Sequence, residues 1–253
     1  MRVFKRLSAA MILLSFLAAT QGLGQGVKEV IERYAAEMGG RASLERISSV
    51  QLRGTIEYED GTTQSFSIIK KRPDKVRLSI VSGEIRITQG YNGSVAWINF
   101  EGPGGAVTRE MEPHLAQDFI RNAPLENALF DRPGQNVTHE LAEDVILGQV
   151  DCFHVIARHP DQSYSAHYID KESLRERRIL EFDSSGNLQS EIIPSRFARY
   201  GGIDFATRIV RLENGRRVSI MDLIDININP GSLDSAFDPP GAVIPVSKLS
   251  QPE

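Results

Sequence analysis

The sequence predicts a mainly β, α+β fold organised around a one-sided antiparallel sheet, and three observations lead to this prediction. Between Val50 and Phe100 apolar and polar residues alternate with a period of two, and turn signals such as Asp60-Gly61 separate the alternating runs. Similar runs follow residue 137, and a segment with helical spacing lies between the two sets. Because successive side chains of a strand point to opposite faces, each strand has one apolar and one polar face. Such strands suit an antiparallel sheet that is covered on one side.

The composition is that of a globular protein, and the length allows one or two domains, although all-β barrels of this size commonly form one. The 253 residues are 41% hydrophobic and 25% charged, and no linker, repeat or low-complexity tract divides them. Residues 1–24 have the pattern of a secretory signal peptide, since a basic start precedes an apolar run from Ala9 to Ala19. An uncleaved membrane anchor is the alternative, but the run is short for a membrane span. The domain is therefore expected to occupy 25–253.

The predicted location follows from this first segment and from the charge. No cysteine follows the apolar run, so the sequence lacks a lipid-attachment motif and predicts a periplasmic or secreted protein. Loss of Arg2, Lys5 and Arg6 on cleavage changes the formal net charge from −4 to about −7. This negative balance argues against nucleic acid and anionic membrane surfaces as partners. We expect no stable membrane insertion after signal cleavage.

Two helical segments precede the strands. Apolar residues recur at spacings of three and four from Val27 to Met38, which predicts a helix that ends at Gly39-Gly40. A short helical turn is expected over 42–47. Packing of the apolar stripe against the sheet is favoured over a movable plug.

About eleven strands are predicted, in two meanders. The first meander occupies 50–100, and a short strand is expected over 107–111. The strands of the second meander are expected at 137–147, 153–157, 164–168, 178–182, 188–199, 205–212 and 217–227. From Pro239 onward the sequence predicts an irregular tail.

A helical insert over 113–130 separates the two meanders. Leu115, Phe119, Leu125 and Leu129 fit one helical stripe, and Pro113 suits a first helical turn. Pro124 is expected to divide the insert into two helical pieces, and residues 131–134 to stop it. The insert is either a packed helix hairpin or a lid over a cavity.

Three motifs together resemble one protein family. They are Tyr91-Asn92-Gly93-Ser94-Val95-Ala96-Trp97, Tyr200-Gly201-Gly202-Ile203-Asp204-Phe205, and the closing stretch from Ile226 to Pro240 with its Phe237. This combination resembles the outer-membrane lipoprotein-sorting (LolA/LolB-like) family, in particular its poorly characterised periplasmic members. The sequence departs from the family pattern in having Asn92-Gly93 for Asp-Gly and Ala206 near a usual proline.

The resemblance implies a single unclosed antiparallel β-barrel whose concave face is covered by helices. It further implies a non-enzymatic periplasmic protein that carries or senses a hydrophobic ligand, either lipid or lipoprotein acyl chains. The candidate ligand-binding residues are Leu52, Ile56, Phe66, Ile68, Leu78, Ile80, Ile87, Trp97, Phe153 and Val155 in the sheet, with Leu115 and Phe119 in the lid. The alternative is a filled core without a cavity, in a module that binds another envelope protein.

Motifs for other chemistry are missing from the sequence. It contains no nucleophile elbow, zinc-protease motif or dinucleotide fingerprint, so we predict no enzyme and no cofactor, and rank a hydrolase third. Cys152, His154 and His167 could form a metal corner, but no fourth ligand accompanies them. Cys152 is the only cysteine and is expected to be buried and structural.

Overall fold

The computed structural model describes residues 16–130 and 135–249, which form one large sheet with short helices. The strands are β1 Ser49–Tyr58, β2 Thr63–Lys71, β3 Lys75–Ser82, β4 Ile85–Tyr91, β5 Ala96–Gly102, β6 Gly105–Glu110, β7 Thr138–Leu147, β8 Val150–Arg158, β9 Tyr164–Asp170, β10 Glu176–Phe182, β11 Leu188–Tyr200, β12 Ile203–Glu213, β13 Arg216–Ile228 and β14 Val243–Ile244. The helices are α1 Phe16–Glu37, α2 Arg41–Glu45, α3 Pro113–Arg121 and α4 Val246–Leu249, with a 3₁₀ helix at Asp234–Phe237.

The strand order follows the chain almost without interruption. It runs β14-β6-β5-β4-β3-β2-β1-β13-β12-β11-β10-β9-β8-β7, so the two predicted meanders join where β1 pairs with β13. All pairs are antiparallel except β14 with β6. Because β14 and β7 are the two ends of this order, the sheet is unclosed among the described residues.

The sheet has two faces that can be followed through the strand register, since directly paired residues point to the same side. Helix α1 packs against one of them, through Val155 and Ile169. The same face can be followed from β8 to β1 through residues that are direct partners in adjacent strands: Val155, His167, Ile179, Ile192, Arg211, Ser219 and Tyr58. We call it the α1 face and the other side the opposite face.

The core under α1 is apolar and well buried. It comprises Val27, Val30, Ile31, Tyr34, Ala35, Leu129, Phe130, Val155 and Ile169. The apolar stripe predicted for the first helix is thereby confirmed, and the helix packs on the sheet. Helix α1 begins at Phe16, within the segment predicted as a signal peptide, whose residues 1–15 lie outside the described part of the chain.

The opposite face is covered at one place by the C-terminal segment. Lys71 and Lys75 on this face pair with Asp234 at 2.7 and 3.0 Å. The guanidinium of Arg77 donates to the carbonyl of Ala236 at 3.1 Å. The 3₁₀ helix therefore packs onto β2, β3 and β5, with Phe237 fully buried.

Three sequence predictions about the fold were wrong. The sheet has fourteen strands instead of about eleven. The insert forms one helix, α3, while residues after Pro124 that are described do not form the second helical piece. The tail after Pro239 is not wholly irregular, because Val243–Ile244 adds an edge strand to β6. Among the described residues, no helix is both long and apolar enough to cross a membrane.

Candidate functional site

Two apolar rows cross the α1 face of strands β1 to β6. Directly paired residues define the first row as Leu52, Ile68, Leu78, Gln89, Ile98 and Arg109. The second row comprises Gly54, Phe66, Ile80, Ile87, Phe100 and Val107. The rows exist because the period-two alternation of each strand is in register with that of the next.

The rows are only partly covered. Phe66 is buried, whereas Leu52, Ile68, Leu78, Ile80, Ile87, Ile98 and Phe100 are half-buried. At the end near the β3–β4 and β5–β6 turns, Ile85 is 53% exposed and Val107 is 47% exposed. The second row is apolar throughout, whereas the first includes the polar residues Gln89 and Arg109. Together the rows form an apolar surface that stays in contact with water on the side of these turns.

A glycine shapes the β1 end of these rows. A Cβ on Gly54 would lie 1.9 Å from the carbonyl oxygen of Asp222 and 2.9 Å from the ring of Phe66. The space that a side chain would fill is thus used by β13 and by the Phe66 ring. Residue Ile224 bulges out of β13 beside it, since Arg53 pairs with Asp225 and Gly54 with Leu223.

The structure brings together seven of the ten sheet residues predicted to bind ligand. Leu52, Ile56, Phe66, Ile68, Leu78, Ile80 and Ile87 all belong to the α1 face of β1 to β4. Phe153 and Val155 share this face but belong to the packed core beneath α1. Trp97 lies on the opposite face, because its neighbour Ile98 is the residue in the first row.

The predicted lid residues lie on α3, which bridges distant parts of the sheet. Helix α3 follows β6, and none of its residues is buried; Leu115 is 54% exposed and Phe119 is half-buried. Gln117 and Arg121 reach Asp161 in the β8–β9 turn at 3.0 and 2.8 Å. The helix is therefore fastened by polar contacts more than by apolar packing.

The segment after α3 crosses the α1 face. Lys70 on β2 donates to the carbonyl oxygens of Asn122 and Pro124 at 2.7 and 2.9 Å. Arg72 donates to the carbonyl of Ile47 at 2.6 Å and pairs with Glu126. Lys70 lies one register step beyond the first row, so these contacts border the long side of the rows that faces away from Ile85.

A buried polar cluster lies where this segment meets α1. The carboxylate of Glu176 accepts hydrogen bonds from Tyr34 at 3.1 Å, from Asn127 at 3.3 Å and from Nδ1 of His167 at 2.6 Å. Nε2 of His167 in turn lies 2.8 Å from the hydroxyl of Ser165. Burial raises the pKa of Tyr34 well above its ordinary value, and the Glu176 charge raises it further. Tyr34 is therefore a neutral donor that ties α1 to β10.

The cluster also has the serine, histidine and carboxylate order of a hydrolase relay, which the sequence analysis did not find. Ser165 and His167 alternate with apolar neighbours on β9, a signal that could have placed them on one face. However, Ser165 is only 7% exposed and His167 only 2% exposed. In this arrangement the cluster satisfies buried polar atoms and fastens the helix.

The histidines and the cysteine do not form a metal site in the described residues. Cys152 and His154 lie on the opposite face of β8, whereas His167 lies on the α1 face. No group of three or more His, Cys, Asp or Glu side chains in the described part of the chain is arranged to hold a metal ion. Cys152 is buried, as predicted, and burial raises the pKa of its thiol.

A groove elsewhere on the surface is lined by other residues. It has a volume of ≈ 440 Å³ and lies at the β7–β8 turn beside Ile146, Val150 and Ile193. None of the predicted ligand-binding residues lines it. The apolar rows remain the better candidate because they are continuous and combine apolar area with partial exposure.

This architecture defines a class of protein. Among the described residues it is an unclosed, mostly antiparallel sheet that has a packed helix and two apolar rows on the same face. No protein-family model and no curated protein matches the sequence. Solved structures do match, and they show that this chain has a LolA-like fold.

Three of these structures cover nearly the whole chain. A DUF1329 family protein from Desulfovibrio piger is 12% identical with a TM-score of 0.61, over 85% of this chain and 97% of its own. An outer membrane lipoprotein-sorting protein domain from Vibrio parahaemolyticus is 10% identical with a TM-score of 0.57, and the match covers 83% of this chain and 95% of that domain. A LolA superfamily protein from Nitrosomonas europaea is 14% identical with a TM-score of 0.55, and the match covers 86% of this chain and 98% of that protein. At such identities the likeness concerns the fold.

Proposed function

We propose that this protein is a periplasmic, non-enzymatic binding protein that carries a hydrophobic ligand, a lipid or the acyl chains of a lipoprotein, on the α1 face. The observation that supports this most directly is the pair of half-buried apolar rows across β1 to β6. The LolA-like fold supports it further, and so does a structural neighbour described as an outer membrane lipoprotein-sorting protein domain.

The physical basis of such binding is the removal of apolar surface from water. Each methylene group that is buried contributes about 0.8 kcal/mol of transfer free energy. A long acyl chain laid along the rows would therefore bind without polar recognition of the chain itself. The half-exposed side chains of the rows would gain contacts at the same time, which reduces the exposed apolar area of the protein.

Helix α3 is the proposed lid. Two of its apolar side chains, Leu115 and Phe119, are not buried in the described structure and are available to cover a bound chain. The polar contacts of Gln117 and Arg121 with Asp161 are exposed. Exposed ion pairs contribute little to stability, about 0–1 kcal/mol, so this fastening can open at small cost.

The test compares two glutamate substitutions on the same strand. Ile68 of β2 lies in the first row, whereas Ser65 of β2 lies exposed on the opposite face. We expect Ile68→Glu to weaken binding of a fluorescent fatty acid at least tenfold, because a carboxylate would be placed against the chain. Ser65→Glu is expected to bind like the wild-type protein.

Native mass spectrometry of the gently purified protein completes the test. A co-purifying lipid or acylated peptide would support the carrier function and identify the ligand class. Equal binding by folded Ile68→Glu and wild-type protein would refute the assignment of the rows. A protein that takes up no lipid or fatty acid would point to the alternative, a module that binds another envelope protein, and a pull-down would follow.

A further inference from the structure

Arg109 lies on the α1 face and has no acidic partner among the described residues. Arg109 is in β6 and pairs directly with Ile98, so it belongs to the first row, which begins at Leu52. Beyond Arg109 the row continues only to Ile244 of the short edge strand β14. Lys70 is the other charged residue that β1 to β6 place on this face. The ammonium of Lys70 already donates to two backbone carbonyls, whereas the part of the chain that the structure describes offers Arg109 no such acceptor.

The surroundings of Arg109 are apolar. Its guanidinium carbon lies 5.0 Å from the centre of the Phe100 ring, a cation–π contact. Its Nε is buried and has no hydrogen-bond partner in the described part of the chain. No ion pair among the described residues involves it, and the adjacent Glu110 instead accepts a hydrogen bond from the backbone of Val246 at 3.1 Å. The nearby Glu101 lies on the opposite face and pairs with Arg86.

The guanidinium of the half-buried Arg109 is therefore only partly satisfied by the described residues. Buried polar groups are nearly always hydrogen-bonded, and an unpaired buried donor destabilises the protein. A guanidinium presents a planar set of donors that matches carboxylate and phosphate oxygens. An acidic group brought to Arg109 by a ligand would supply the acceptors that the protein does not.

We propose that Arg109 binds the acidic head of an anionic amphiphile whose acyl chain lies along the two apolar rows. The inference rests on the proposed function and adds the chemistry of the head group, a carboxylate or a phosphate. The row from Arg109 to Leu52 spans five inter-strand spacings, about 24 Å, which suits a long acyl chain. Val107, two residues from Arg109 on the same face of β6, is 47% exposed, so the β6 end of the rows is open to water and to a polar head.

The experiment separates the head from the chain. Oleate and its neutral methyl ester have the same chain, and displacement of a fluorescent fatty acid measures the affinity of each. We expect wild-type protein to bind oleate at least tenfold more tightly than methyl oleate. Arg109→Met keeps an apolar stem but removes the charge, so it should bind both ligands within about twofold of each other. Arg86→Met removes a cation from the opposite face and should keep the preference for oleate.

A second pair of ligands identifies the source of the acid. Lysophosphatidate carries a phosphate on one acyl chain, and a preference for it over methyl oleate that is lost in Arg109→Met supports the proposal equally. Inorganic phosphate alone should not displace the probe; if it does so at equal concentration, Arg109 belongs to a free-anion site and the proposal is overturned. Arg109→Lys keeps the positive charge but lacks the planar set of guanidinium donors, and we expect it to retain part of the preference for the acidic ligand over methyl oleate.

The failures are distinguishable. The head-group inference is wrong if wild-type protein binds oleate and methyl oleate equally. It is also wrong if Arg109→Met keeps the preference for oleate while its thermal unfolding matches that of the wild type. In both cases the proposed carrier function stands. If wild-type protein binds neither ligand, the carrier function itself fails. Should Arg109→Met not fold, Arg109→Gln, which has a neutral amide, decides by the same comparison.

Discussion

The indole Nε1 of Trp97 donates a hydrogen bond to the backbone carbonyl of Phe237 at 3.0 Å, and both side chains are fully buried on the opposite face. Asn92, in the turn before Trp97, donates to Asp238 at 3.0 Å. Two motifs separated by more than half of the chain thus meet in space. Their resemblance to the lipoprotein-sorting family therefore reflects a structural contact that fixes the C-terminal segment.

Trp97 is the only tryptophan, so its fluorescence should report this contact directly. Phe237→Ala would leave a cavity beside the indole, and we expect it to lower the free energy of unfolding by about 3–5 kcal/mol. The emission of Trp97 should shift to longer wavelength as water reaches the ring. Leu233→Ala, at a side chain that is 73% exposed, is the control and should change neither quantity. An unshifted spectrum for Phe237→Ala would contradict the assigned burial.

The ring of the same tryptophan leaves no space for a side chain at position 90. A Cβ at Gly90 would lie 2.3 Å from the Trp97 ring, whereas a Cβ at Gly104 would meet no atom within 4 Å. We expect Gly90→Ala to lower the free energy of unfolding by about 1–3 kcal/mol, because the indole must move. Gly104→Ala is expected to be neutral within about 0.5 kcal/mol. Chemical denaturation measures both, and equal stability of the two variants would refute the close packing.

Tyr34 should contribute to stability through its hydroxyl as well as its ring. Tyr34→Phe would remove the hydrogen bond that its hydroxyl donates to Glu176 and the one that it accepts from Asn127, and we expect a loss of about 1–2 kcal/mol in the free energy of unfolding. Tyr58→Phe is a matched control, since Tyr58 is half-buried at the end of β1. A loss of the same size in the control would show that the hydroxyl of Tyr34 has no special role.

Acid should unfold the protein partly through Asp170. Burial alone would raise the pKa of Asp170, but the backbone N–H groups of Ser173 and Glu172 and the Arg177 guanidinium lower it to about 2. A carboxyl group whose pKa is lower in the folded than in the unfolded state stabilises the protein above the unfolded pKa. That stabilisation, about 2 kcal/mol, is lost as the pH falls from roughly 4 to 2.

The corresponding measurement is denaturation of wild-type protein and Asp170→Asn as a function of pH. The wild type should lose stability steeply over that range, and the variant should start lower and lose less. Asp204 is depressed in the same direction: burial would raise its pKa, but Arg199 and Arg175 lower it. Some acid sensitivity should therefore remain in Asp170→Asn. Parallel curves for the two proteins would rule out the role of Asp170.

The position of the candidate lining residues could be predicted wherever one face of a strand is apolar and the other polar. Leu52, Ile68 and Leu78 fall in one row because each strand alternates without a bulge from β1 to β4. The alternation is uninformative in β5, where Trp97 and Ile98 are adjacent and both apolar. Trp97 was therefore assigned to the wrong face, because nothing local shows that the C-terminal segment covers the opposite one.

The polar cluster and the unpaired arginine could not be predicted for a different reason. Glu176 comes from β10 and Tyr34 from α1, and their distance depends on how the helix packs on the sheet. Likewise, Arg109 is one of many arginines in the sequence, and only the structure shows that neighbouring acids point to the other face.

By itself, the sequence determined the mainly β class, the order of the meanders, the first helix and which side chains share a strand face. These properties follow from periodicity and turn residues, which act over a few positions along the chain. Tertiary structure alone decided which face each apolar residue of β5 occupies, which polar groups meet under α1, and that Arg109 has no acidic partner among the described residues. Those outcomes depend on strand register and on contacts between distant segments, where the free energy of burial outweighs local preference.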